Sequence, residues 1–173
     1  MPGSINQIQI AYSPEEDRIL FRVNSMDRKE FRFWLTRRFT VLLVKVLSDH
    51  RARDPDVVTQ HTPQAKEAVQ SFKQEQAVAG ADFKQQFSQD GNEYPLGADF
   101  VLAHKITYKI EGANLHLAIQ PKEGQGINMV LSQDINATVT RLLATAVGQA
   151  DWRIDGGSPA EPPATTVVPR VIN

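Results

Sequence analysis

The stretch FRFWLTRRFTVLLVKVL (residues 31–47) contains the change from strand to helix that decides the fold. Its first five residues alternate between large apolar and other side chains, which indicates a strand. From Phe39 onward the apolar residues follow helical spacing, and Thr36 stands at the junction as a helix N-cap. The sequence therefore predicts a strand followed directly by a helix over about 36–51.

Two further strands are predicted before this stretch. Residues 8–12 alternate, a turn containing Pro14 follows, and residues 18–23 alternate again, which together indicate a hairpin. Residues 8–51, called the first segment below, are thus predicted to contain three strands and one helix.

The same order of patterns returns later in the chain. The stretch INMVLSQDINATVTRLL (residues 127–143) has an alternating part, then Ser132 as N-cap, then a helical stripe. Adding 96 to the numbers of the first segment aligns it without a gap with residues 104–147, called the second segment. We interpret the match as an internal duplication, although any two segments of three strands and a helix share these periods.

These patterns predict an α+β fold in which two β-β-β-α repeats share a core, with six antiparallel strands and two repeat helices. A unit of about 44 residues is too small to offset its chain entropy alone, so each copy is expected to need the other. The alternative is that the units pair across a dimer.

The rest of the chain is predicted to support this core. Residues 52–103 form a connector with a helix that begins at Thr62-Pro63, because proline is favoured at the first helical position. The predicted apolar stripe of that helix consists of Val69, Phe72, Ala79, Phe83 and Phe87. Residues 1–153 are predicted to be a single globular domain and residues 154–173 a flexible tail.

The composition limits the classes of function. The chain lacks cysteine, which excludes disulfides and thiol catalysis and fits a cytoplasmic location. A net charge of −1 excludes a protein that coats nucleic acid through bulk charge. No apolar run approaches the roughly 20 residues that span a bilayer, so no membrane partner is expected.

The two segments differ on the strand face that points away from the predicted core. In the first segment this face is cationic, and two more arginines occupy the first turn of the helix. Guanidinium groups beside an indole hold phosphates and stack bases in single-strand binding proteins. The candidate binding residues are Arg18, Arg22, Arg32, Trp34, Arg37 and Arg38.

The same residues have a structural interpretation. Glu16 and Glu30 lie on the same face and are able to pair with its arginines, while Trp34 is able to pack under the bridging helix. Arg37 and Arg38 oppose the macrodipole at a helix start, which either an anionic partner or the acidic turn before the second strand would explain.

No catalytic or metal-ligand set is recognisable in the sequence, and no cofactor is predicted. The four histidines lack the spacing typical of ligands. Gly124-Gln125-Gly126 lies between two strands and predicts a hairpin rather than a phosphate loop. An enzyme or small-ligand protein stays an alternative, and it would require a deep pocket lined by His104 or His116.

The blocks FRFWLTRRF (residues 31–39) and GINMVLS (residues 126–132) resemble those of uncharacterised bacterial, mainly proteobacterial, proteins without an assigned activity. This resemblance covers most of residues 8–153. The order of elements is also similar to the dimerising head domain of eukaryotic end-joining scaffold proteins and of the centriolar assembly protein. Those heads continue into a long coiled coil, whereas the closing helix here is predicted to end near Gly148.

The sequence favours a non-enzymatic protein–protein interaction or scaffold module, whose partner is a second copy or another protein. Nucleic-acid binding through the arginines and Trp34 is the first alternative. An enzyme or small-ligand protein is the second.

Overall fold

The computed structural model describes residues 4–80, 86–88 and 92–154 and has an α+β fold. The strands of this part are β1 (Ile5–Ser13), β2 (Arg18–Ser25), β3 (Glu30–Leu35), β4 (Val101–Leu102), β5 (Lys105–Glu111), β6 (Asn114–Gln120) and β7 (Ile127–Leu131). Its helices are α1 (Arg37–Ala52), α2 (Pro55–Val58), α3 (Pro63–Gly80) and α4 (Gln133–Ala150). The predicted flexible tail lies, from residue 155 onward, outside the described residues.

Each segment contains three antiparallel strands followed by a helix, in the predicted order. The two predicted N-caps are confirmed. The Thr36 hydroxyl accepts a hydrogen bond of 3.2 Å from the Phe39 amide, and the Ser132 hydroxyl accepts one of 3.3 Å from the Ile135 amide. Common ancestry of the two segments by duplication stays a prediction.

The second and third strands of the two segments pair in the same register. Phe21 lies opposite Phe33 between β2 and β3, and Leu117 lies opposite Met129 between β6 and β7. Leu117 and Met129 each lie 96 residues after their counterparts Phe21 and Phe33, as the alignment predicts. Equivalent positions therefore point to equivalent faces of the two sheets.

The gapless alignment is wrong for the first strands. Phe21 lies opposite Ile10, whereas the equivalent Leu117 lies opposite Tyr108, which is a shift of two positions. The physical reason is the turn, because four residues (14–17) join β1 to β2 and only Gly112 and Ala113 join β5 to β6. A shift by two preserves the faces, so the alternation alone does not reveal it.

A short strand that the sequence did not predict extends the first sheet. β4 pairs with β3 in parallel, with Val101 opposite Phe33 and Leu102 opposite Trp34. The first sheet thus has the order β1-β2-β3-β4, and the second sheet has the order β5-β6-β7.

Both segments contribute to one buried apolar cluster. The fully or almost fully buried members include Ile19, Phe21, Phe33 and Leu35 from the first sheet, Leu115, Ile119 and Leu131 from the second, and Leu43, Leu47 and Leu143 from the helices. α4 packs along β1 of the first segment, and α1 contacts β5 of the second segment as well as its own β2 and β3. Each helix therefore covers part of the other segment, which fits the expectation that neither half is stable alone.

A buried hydrogen-bond network joins α1 to α4. Asn136 and His50 are both 0% exposed. The side-chain Nδ2 of Asn136 donates to the Leu47 carbonyl at 3.0 Å and to His50 Nδ1 at 2.7 Å. The Thr140 hydroxyl donates to Asn136 Oδ1 at 2.9 Å. Since Nδ1 accepts, His50 Nε2 carries the hydrogen that it donates to the Ala113 carbonyl at 3.0 Å. The sequence did not reveal this network, since its histidines were considered there only as possible ligands or pocket residues.

The two helices run antiparallel, with each N-terminus beside the other C-terminus. Gln133 Nε2 donates to the His50 carbonyl at 3.0 Å, and Arg37 donates to the Arg153 carbonyl at 3.1 Å. At the latter end, Trp152 packs edge-on against Tyr12 of β1, with ring centroids 6.0 Å apart. The Arg153 carbonyl, with its partial negative charge, thus lies near Arg37 and offsets the conflict of that residue with the α1 dipole.

The connector helix α3 begins at Pro63 as predicted, but the prediction of its apolar stripe is wrong. Phe72 is 61% exposed, and α3 has no buried residue. Phe83 lies outside the described residues. The helix packs against α4 and α2, and the Lys73 ammonium bridges the Asp54 and Asp56 carboxylates at 2.6 Å each. Polar contacts therefore contribute to its position beside the core.

We expect Asn136→Ala to lower the free energy of unfolding by about 3 kcal/mol, since it leaves His50 Nδ1 unpaired in the interior and removes the bond from Asn136 to the Leu47 carbonyl. The matched control is Asn128→Ala on the exposed surface of β7. This variant should change the free energy of unfolding by less than about 0.5 kcal/mol. Urea denaturation of the three proteins checks this. Equal midpoints for both variants would show that the network contributes nothing.

Candidate interaction surface

The outer face of the first sheet contains a buried ion cluster. Glu30 accepts hydrogen bonds from the Arg22 guanidinium at 2.8 and 2.9 Å and from Arg32 Nε at 2.7 Å. Its second oxygen accepts one from Asn92 at 2.8 Å, and Gln9 accepts one from Arg22 at 2.9 Å. The Glu30 side chain is 0% exposed. Two of the predicted binding arginines are therefore already paired with a carboxylate.

Aromatic side chains of the connector cover this cluster. The Arg22 guanidinium lies 4.3 Å from the Phe87 ring centroid, and that of Arg32 lies 4.6 Å from the Tyr94 ring. Trp34 packs against Phe100 with centroids 4.8 Å apart. The indole thus contacts the connector, as the structural interpretation expected, although the contact comes from the chain before β4 and not from α3.

Electrostatics keep Glu30 ionised in this environment. Burial alone would raise the pKa of its carboxyl, but the hydrogen bonds from Arg32, Asn92 and Arg22 outweigh burial and hold the pKa below its ordinary value of 4.5. The guanidinium groups of Arg22 and Arg32 therefore stabilise the ionised carboxylate of Glu30 inside the protein.

The other three candidate residues lie apart from the cluster. Arg18 is 3.8 Å from the Glu16 carboxylate, with both side chains partly exposed. Arg37 donates to the Arg153 carbonyl just after α4, so neither explanation offered for it from the sequence is needed. Arg38 is exposed on the first turn of α1. The structure does not bring the six residues together into one exposed cationic surface.

The equivalent face of the second sheet differs in being open. Its centre consists of His116, Ala118, Asn128 and Val130, which correspond to Leu20, Arg22, Arg32 and Trp34 in the first segment. His116 and Asn128 are exposed, and Ala118 and Val130 are half-buried. Within the described part of the chain, no segment covers this face as residues 86–88 and 92–100 cover the first. A depression of about 420 Å³ lies over it.

Charged residues border this open face along β5. Lys105, Lys109 and Glu111 point to the same side as the centre, since they lie opposite Gln120, His116 and Asn114 in the register. Glu111 lies beside Lys109 and 3.2 Å from His116. The sequence showed that the outer faces of the two segments differ in charge. It did not show that the connector covers only one of these faces.

Other features of the described residues offer little support for chemistry. A cavity of about 980 Å³ lies between β1, α3 and α4, where Ile8, Ile10, Ala77 and Leu142 are among its lining residues. His116 lies on the open face and His104 is exposed, so neither belongs to that cavity. No group of three or more His, Cys, Asp or Glu residues among those the structure describes is placed to hold a metal ion, and none of the helices in this part has the length and apolar character to cross a membrane.

We expect Glu30→Gln to lower the free energy of unfolding at pH 7 by about 3 kcal/mol, because it leaves Arg22 and Arg32 without their carboxylate. Since the pKa of Glu30 is lower in the folded chain, its stabilisation is full above about pH 4.5 and is lost as the pH falls through the folded-state pKa. The difference between wild type and variant should therefore shrink below pH 4.5.

Glu16→Gln is the control, since its partner Arg18 is partly exposed and the pair is separated by 3.8 Å. Denaturation curves at several pH values measure both variants. A difference between wild type and Glu30→Gln that is the same at pH 3 and pH 7 would contradict this account of the cluster.

The chain was compared with protein-family models, with curated proteins and with solved structures. None of the three comparisons finds a match.

Proposed function

We propose that the chain is a non-enzymatic protein–protein interaction module, which binds a partner protein on the open face of β5, β6 and β7. The observation that carries the proposal is the difference between the two equivalent faces. One is covered by the aromatic residues of the connector, and the other is covered by no residue that the structure describes.

The chemistry of the open face fits a protein partner. Its centre is neutral and includes the apolar side chains of Ala118 and Val130, while charges are confined to its border on β5. Protein interfaces have this arrangement, with charged residues depleted at the centre and a polar rim.

Nucleic-acid binding is supported less well. Arg22, Arg32 and Trp34, which formed the centre of the predicted binding face, contact Glu30 and the connector. Guanidinium groups that are buried against a carboxylate release no counterions from phosphates, and counterion release supplies most non-specific affinity. A cytoplasmic location stays a prediction from the cysteine-free sequence.

Site-specific photo-crosslinking in cells tests the proposal. A benzophenone amino acid at Asn128 should give a discrete protein adduct, because this position is exposed at the centre of the open face. The same amino acid at Glu75, exposed on α3, is the matched control and should give none. The adduct should disappear when Val130→Glu places a charge on the face.

Adducts at Glu75 alone would put the interaction on the connector helix and contradict the proposal. So would a salt-dependent shift with single-stranded DNA or RNA that Arg38→Glu abolishes, because binding would then use the arginines.

A further inference from the structure

The outer edge of β3 shows how this fold accepts an extended segment. The Glu30 amide donates to the Glu93 carbonyl at 2.8 Å, and the Glu93 amide donates to the Arg28 carbonyl at 2.7 Å. Further along, the Ala103 amide donates to the Trp34 carbonyl at 3.0 Å. The connector thus runs beside β3 in the parallel direction and ends in β4.

β7 is the counterpart of β3 and presents the same edge. The bonds at Glu30 and Trp34 show that even-numbered residues of β3 direct their backbone groups outward. Because β6 and β7 pair in the same register as β2 and β3, Asn128 and Val130 direct theirs outward too. Neither forms a backbone hydrogen bond on that side within the described ranges, and β7 is an edge strand.

The open face beside this edge has room for side chains of an added segment. In the first sheet, Arg22, Arg32 and Trp34 fill the space under the connector. The smaller Ala118, Asn128 and Val130 replace them in the second sheet, where the depression of about 420 Å³ lies. An aromatic ring of an incoming segment is able to enter this space.

Charge indicates which segments fit. Lys105 and Lys109 border the face, and Glu111 is the one carboxylate among the outward-pointing residues of β5, β6 and β7, all of which the structure describes. The connector that lies beside β3 carries Glu93 and Asp99. A segment with acidic residues is therefore favoured over a basic one, and two copies of this face are not complementary to each other.

We propose that β7 accepts an extended segment of a partner protein as a fourth, parallel strand, and that the segment carries an aromatic side chain and acidic residues. The backbone groups of Asn128 and Val130 supply the hydrogen bonds, and the depression over Ala118 and Val130 holds the aromatic ring. This inference rests on the proposed function and specifies how the partner binds.

The chain itself supplies the probe. A synthetic peptide with the sequence of residues 92–103, NEYPLGADFVLA, has the aromatic and acidic residues that already lie beside β3. Titrated into the isotope-labelled full chain, it should shift the amide NMR signals of β7 and of His116 and Ala118 saturably. A scrambled peptide of the same composition should leave them unchanged.

Two substitutions at one position separate backbone pairing from side-chain contact. Asn128→Pro removes the outward N–H without removing a bond to β6, and proline is tolerated at such edge positions. It should weaken peptide binding at least about tenfold, which corresponds to about 1.4 kcal/mol. Asn128→Ala removes the same side chain but keeps the N–H, so it should weaken binding clearly less than Asn128→Pro does. If Asn128→Pro does not fold, Val130→Glu tests the depression in its place and should abolish the shifts.

Several results would overturn the inference. They are saturable shifts at β5 or α3 instead of β7, equal shifts with the scrambled peptide, and undiminished binding by folded Asn128→Pro. If the cross-link at Asn128 forms in cells but the peptide produces no shifts at β7, strand addition is wrong while the interaction module stands. Loss of the cross-link removes the proposed function itself.

Discussion

The antiparallel contact between α1 and α4 is the constraint on which the rest of the fold depends. Buried Asn136 and His50 join the helices at one end, and the bond from Arg37 to the Arg153 carbonyl after α4 joins them at the other. Each helix covers apolar residues of both segments, since α4 packs along β1 and α1 contacts β5. Neither set of three strands has a complete apolar cover from its own segment, so the two segments are expected to fold together.

This shared core leaves the outer faces of the sheets free to differ. On the first sheet the connector covers two arginines and a tryptophan, and the Glu30 carboxylate pairs with both guanidinium groups. On the second sheet the same positions carry small or neutral side chains and no described segment lies on them. The second and third strands of the two sheets share a register but differ in cover, which is the reason to look for a partner at β7 rather than at the arginines.

Local patterns explain how much of the fold the sequence predicted. The strands, both helices and the caps at Thr36 and Ser132 follow from periodicity and from the hydrogen-bonding chemistry of the first helical turn. The shift of two positions between β1 and β5 depends on turn length, which does not alter the alternation. β4 has two residues, too few to show a period, and its parallel pairing arises from contacts distant in sequence.

The candidate site was harder to predict, because polar residues acquire their roles from distant partners. Glu30 was recognised as a possible partner of the arginines since it shares their face, but Asn92 and Tyr94 lie 62 residues away from their contacts in the sequence. His50 and Asn136 are 86 residues apart, and nothing in their local sequence indicates burial. The predicted apolar stripe of α3 was wrong at Phe72, because the half-buried side of the helix carries Val69, Lys73 and Ala77 instead.

Native-state hydrogen exchange tests most directly whether the two segments depend on each other. The amides of Phe21 and Leu117 occupy equivalent central positions in β2 and β6. Both should exchange only through global unfolding, with the same opening free energy and the same denaturant dependence. A value for one sheet that is lower than for the other by more than about 1 kcal/mol would show that the segments unfold separately and would contradict the account.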